Sequence, residues 1–154
     1  MILLVHLLLG ALIGKHINNL ILAIILAFLS HYLLDLLPHI EYPIKNIKEK
    51  QWKKALPDFL RIILDFCIGV VLIFFFATPS TGSGQAIIYI CAFFAILPDG
   101  LTVLGFLFPN KILDFHGYFH RKKIHFLRDK KISKFWRIFT QVTVAVICLV
   151  FLKF

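Results

Sequence analysis

Three side chains that are costly in hydrocarbon recur every four residues in Ser30–His39, SHYLLDLLPH: His31, Asp35 and His39. Residues four apart on an α-helix stand one above the other, with Cβ atoms about 5–6 Å apart. His31 and Asp35 can therefore bring a ring nitrogen and a carboxylate oxygen to one ion, at roughly 2.0–2.2 Å each for zinc. His39 continues the row. Pro38 pushes its predecessor out of helical geometry, so the helix is expected to stop there, with His39 curling over the site or facing lipid headgroups. A buried ionised carboxylate costs several kcal/mol unless it is paired or holds a metal.

Asp99 lies in AILPDG. Pro98 frees a carbonyl in the preceding turn and Gly100 permits unusual backbone angles, so a break at Pro98-Asp99-Gly100 is expected, lining a cavity. Asp35 and Asp99 at one depth favour a shared cation. His120 is followed directly by Arg121, Lys122 and Lys123. An imidazole beside such cations suits a phosphate site, in which a metal polarises while Arg121 and Lys122 hold the anion. Asp65 follows Arg61 by four residues and is either its salt-bridge partner or, like Asp99, a general base. His6 either bonds a neighbouring helix or joins the ligands, and His116 stays open in the same way. His125, in a basic run, is expected to be a solvated loop residue, and His16 an ordinary short-loop one. Imidazoles and carboxylates without thiolate suit zinc, manganese or iron. Cys67, Cys91 and Cys148 sit in apolar segments without a C-x-x-C pair and read as small buried hydrophobes. No G-x-S-x-G, H-E-x-x-H, P-loop or dinucleotide fingerprint is present.

The elements that must position these residues are apolar. Of 154 residues, 60% are hydrophobic, and mean hydropathy is +0.87. A soluble domain would sit near 45–50%. The expected architecture is a single all-α domain over residues 1–154, a polytopic membrane bundle of about five helices. The apolar segments are Ile2–Gly14, short for a span, then Leu20–Leu37, Phe59–Thr78, Ala86–Pro109 and Trp136–Phe154. Net charge is +9, and 15 of the 17 Lys and Arg fall between Lys45 and Arg137, in or beside two polar loops, 38–58 and 110–135. Basic loops stay cytoplasmic and attract anionic lipid, so membrane lipids are the expected partners and nucleic acid is not. The chain then lies in the cytoplasmic membrane with its N-terminus inside, PSTGSG outside and its C-terminus outside. On that topology only His16, among the 15 Asp, Glu and His residues, falls on the outer side.

HLLLGALIG, LSHYLLDLLPH, LPDG and FHGYFHR resemble motifs of the membrane-bound metal-dependent hydrolases, the LexA-binding inner-membrane hydrolase family. SHYLLDLLPH is also similar to a helix of zinc-dependent phospholipase C. The resemblance implies that His6, His31, Asp35, Asp99 and His120 are metal ligands, with His39 matching the post-proline His of the phospholipase pattern. The function expected is metal-dependent hydrolysis, zinc foremost, of lipid phosphoesters at the cytoplasmic interface. Two alternatives stand beside it. One is a metal or proton transporter, which the apolar outer halves of the helices argue against. The other is a non-catalytic scaffold whose basic loops dock anionic lipid or a partner.

Overall fold

The computed structural model describes residues 2–77, 82–127 and 130–154, and all regular structure among them is helical. The helices are α1 (Leu3–His16), α2 (Leu20–Asp35), α3 (Lys45–Lys48), α4 (Leu56–Phe76), α5 (Gly82–Leu107), α6 (Lys111–Phe119) and α7 (Lys134–Lys153). A 3₁₀ turn covers Trp52–Lys54 and a π turn His120–Ile124. The five apolar segments became α1, α2, α4, α5 and α7, an all-α bundle. Pro79, Ser80 and Thr81 of the PSTGSG turn, with Arg128 and Asp129 of the second basic loop, lie outside the described residues.

Among the described residues three helices are long and apolar enough to cross a membrane: Leu56–Phe76, Gly84–Leu107 and Lys134–Lys153. With 14 and 16 residues, α1 and α2 are shorter, about 21 and 24 Å against a hydrocarbon core of about 30 Å. Asparagine and serine side chains start several helices by accepting from free N–H groups: Asn19 from Leu22, Asn110 from Ile112 and Leu113, Ser133 from Trp136.

The short α1 is the axis of the bundle, packed against α2, α4, α5 and α7. Its contact with α5 depends on glycine. A Cβ on Gly10 would lie 2.6 Å from the Cys91 carbonyl oxygen, and one on Gly14 2.9 Å from that of Ile87. The G-x-x-x-G spacing thus lets the two backbones touch. Beneath them Leu7, Leu8, Ala11, Ile73, Ile88 and Ala92 form a dry core.

The bundle's chain direction alternates. Near one end α1 begins, α2 stops, α4 begins and α7 begins: Leu4 N–H donates to Asp65, and Arg137 donates to the His39 carbonyl. Near the other end Lys15 of α1 donates to the Leu152 carbonyl of α7. Outward faces are apolar, including Ile21, Leu33, Leu64, Phe74, Phe75, Phe93, Phe139 and Phe151.

Two expectations are corrected. The fourth apolar helix is unbroken: α5 runs through Pro98, and no described glycine has positive φ. Around the proline, His31 Nδ1 donates to the Ala95 carbonyl at 2.8 Å, and Thr102 Oγ1 donates to the Pro98 carbonyl at 3.1 Å. The second basic segment is also more than a loop. It carries α6, whose Ile112, Phe115 and Phe119 are exposed at helical spacing.

Replacing Gly10 with valine is expected to cost about 1–3 kcal/mol by forcing α1 from α5. Thermal unfolding in detergent reads this as a lowered Tm. An unchanged Tm would mean that the two helices do not approach this closely.

Candidate metal centre

Four parts of the chain deliver the polar side chains. The first turns of α1 present His6. The last turn of α2 presents His31 and Asp35, and after Pro38 the chain brings back His39 and Glu41. The middle of α5 contributes Asp99. The π turn supplies both ends of itself, because the His125 N–H bonds back to the His120 carbonyl at 3.2 Å. An α-helix would set residues five apart about 140° from each other, whereas i→i+5 bonding draws them to one side.

Asp35 is the hub and is fully buried. Its Oδ2 lies 3.1 Å from Nε2 of His31, of His120 and of His125. Its Oδ1 lies 3.3 Å from His6 Nε2 and 3.8 Å from His39 Nε2. The His31 and His120 Nε2 atoms are 3.2 Å apart, and those of His120 and His125 are 3.3 Å apart. Asp99 Oδ1 stands further out, 3.7 Å from His31 Nε2, with its side chain 32% exposed. Two donors on one tetrahedral zinc, each at 2.0–2.1 Å, are about 3.3 Å apart. The inner spacings match.

Hydrogen bonds on the far side of the rings fix where their lone pairs point. His31 Nδ1 donates to the Ala95 carbonyl at 2.8 Å, and His39 Nδ1 to that of Leu37 at 2.7 Å. The Thr102 hydroxyl spends its proton on the Pro98 carbonyl, so it accepts from His120 Nδ1 at 3.1 Å. In their neutral forms all three rings therefore turn Nε2 lone pairs inward. Both nitrogens of His6 are buried without a hydrogen-bond partner, and its ring stacks on His31 at 4.0 Å between centroids. The inward lone pairs of His31, His39 and His120 thus face one another around a carboxylate, and a metal ion held among them would satisfy several at once. Outer bonds of this kind are what orient histidine ligands.

His125 corrects the expectation of a solvated loop residue. It is 8% exposed, with Nδ1 3.1 Å from Glu41 Oε1 and equally 3.1 Å from His39 Nε2. Burial opposes its charge, but the Asp35 and Glu41 carboxylates outweigh burial and raise its pKa to about 9. Neither His125 nor Glu41 was expected at the site. The only sequence signal was a histidine five residues after His120, a spacing that does not face on an α-helix.

The remaining candidates lie apart from this shell. Asp65 does not pair with Arg61, which reaches Asp58 at 3.2 Å instead. Asp65 accepts from the Leu4 N–H at 2.9 Å and the Tyr42 hydroxyl at 3.0 Å, and Tyr42 accepts from the Leu3 N–H. It thus anchors the first turn of α1 and so the position of His6. His116 touches the Tyr32 hydroxyl at 3.1 Å, at the rim. His16 is exposed, close to the Phe151 carbonyl. Arg121 lies over the Phe106 ring at 5.2 Å, and Lys122 is exposed. The cations beside the shell are different ones. A pocket of about 580 Å³ reaches His39, Glu41 and Tyr42 and is also lined by Lys45, Lys48, Lys134 and Arg137.

Two groups of side chains around Asp35 have donor atoms close enough to hold a divalent metal: His31, Asp35, Asp99 and His120, and Asp35, His39 and His125. This is the class of site the geometry defines. No family model matches the chain, and neither a curated protein nor a solved structure matches it.

Thr102→Val keeps the side-chain shape but removes the acceptor for His120 Nδ1. Metal affinity, measured by competition with a chelator, is expected to fall about 10–100-fold. An unchanged affinity would mean that Thr102 does not orient His120.

Proposed function

We propose that this chain is a metal-dependent hydrolase embedded in the cytoplasmic membrane, acting on lipid phosphoesters at the inner interface. The observation that carries the reading is the buried ring of inward-facing imidazole lone pairs around Asp35. A divalent ion there, zinc foremost, with manganese and iron suited to the same donors, would supply Lewis acidity and lower the pKa of a water toward 7.

The protein's own groups have separable roles in this scheme. His31, Asp35 and His120 form the inner ligand set, and Asp99, the more exposed carboxylate at the rim, is placed to accept a proton. Lys45, Lys48, Lys134 and Arg137 give the adjoining pocket a cationic wall for a phosphate. Arg121, over the Phe106 ring, and Lys122 do not line this pocket. The resemblance to membrane-bound hydrolases points the same way, on the motifs alone.

The apolar exterior and the position of the basic residues support membrane placement. Segments 38–58 and 110–135 carry those residues beside the shell, and the positive-inside rule then favours the cytoplasmic face for it. The apolar face of α6 suits the headgroup boundary. A transport path is disfavoured, because away from the shell the bundle is plugged by Leu8, Ala11, Ala23, Ala27, Ile88 and Cys91.

The test pairs metal analysis with lipid hydrolysis. Purified protein is expected to hold transition metal and to release phosphorylated headgroup or phosphate from vesicles of anionic phospholipid. His31→Ala with Asp35→Ala should abolish metal binding and lower the rate beyond the 10–100-fold typical of an outer-sphere change. Less than about a tenth of an equivalent of metal, unchanged in the double variant, would end the reading.

A further inference from the structure

We infer that the shell holds two metal ions that share the Asp35 carboxylate; this rests on the metal-dependent reading above. Donor atoms close enough for one ion form two sets, His31, Asp99 and His120 on one side and His39 and His125 on the other; Asp35 alone belongs to both, and His6 to neither. Both of its oxygens are engaged: Oδ2 by His31, His120 and His125, and Oδ1 by His6 and His39.

The number of donors exceeds what one ion uses. A tetrahedral ion takes four ligands. Around Asp35 stand five imidazoles, those of His6, His31, His39, His120 and His125, with the carboxylates of Asp99 and Glu41 at the edges. An ion on His31, Asp35, Asp99 and His120 leaves the other side short of positive character. There His125 Nδ1 has one proton for two acceptors, His39 Nε2 and Glu41 Oε1, each 3.1 Å away. A second cation bound between His39, His125 and Asp35 removes that conflict.

Two dications would outweigh the carboxylates of Asp35, Asp99 and Glu41, and an incoming phosphoryl group would balance the excess. Paired ions of this kind, about 3.5–4 Å apart, clamp the attacking and leaving oxygens of phosphoester displacement. The two-ion shell therefore favours a phosphoester over an uncharged carboxylic ester as substrate.

The experiment is a titration of the metal-free, full-length protein in detergent with Co²⁺ alone, followed by visible absorption and electron paramagnetic resonance. Absorption is expected to saturate at two equivalents. The second equivalent should add less than its share of paramagnetic signal, because the shared carboxylate couples the spins. His39→Ala with His125→Ala should saturate at one equivalent. Saturation of the unaltered protein at one equivalent overturns the two-ion inference and leaves the metal-dependent reading standing. Absence of specific Co²⁺ binding overturns both. Two equivalents with additive signals, or a second equivalent that survives in the double variant, places the second ion elsewhere and also overturns the inference. The break point of the unaltered protein decides the count even if the double variant fails to fold.

Discussion

A single buried carboxylate organises this molecule. Asp35 is sealed from solvent and has five imidazoles within reach. Burying it without compensation would cost several kcal/mol, a large part of the 5–15 kcal/mol by which a typical fold is stable. Compensation comes from every direction in the chain: α1, α2, the segment after Pro38 and the π turn each send a histidine. The same convergence ties the start of α1, the end of α2, the segment after Pro38 and the π turn together, so whatever balances Asp35 also fastens the bundle.

The supporting structure serves that convergence. α1 is too short to dominate by length, yet it lies at the centre, because Gly10 and Gly14 let α5 approach within backbone contact. Asp65 and Tyr42 secure its first turn two residues before His6. Asp58 does similar work next door, accepting from the backbone N–H groups of Asn46 and Ile47 and so holding the segment that carries Lys45 and Lys48. Asp65, a candidate base by residue type, and Asp58 thus both position backbone. Their electrostatics is spent on unsatisfied N–H groups at helix starts.

Much of the fold was legible in the sequence, since five apolar segments separated by turn and basic stretches leave little choice but a helical bundle. Within the site, the i,i+4 pair His31–Asp35 was readable because helical geometry alone makes it face one way. Asp99 was readable for a less secure reason. A break at Pro98 was the argument for it, yet α5 runs straight through, and Asp99 reaches the rim from a continuous helix. His125 and Glu41 were illegible because their positions depend on non-local geometry. A π turn re-aims one, and the return of the chain after Pro38 carries the other. Neither has a periodicity that local spacing can expose.

Lone-pair direction is the feature that separates this shell from an ordinary polar core. In a core held together by hydrogen bonds, each inward donor meets an acceptor and the network closes on itself. Here the donors of His31, His39 and His120 are all used outward, on the Ala95 and Leu37 carbonyls and the Thr102 hydroxyl, leaving acceptors to meet at the centre. A purely structural histidine cluster would gain nothing from that orientation, since reversing any one ring would supply the missing proton. Outward hydrogen bonds hold the three rings against such reversal, an orientation suited to a cation among the donor atoms of His31, Asp35, Asp99 and His120.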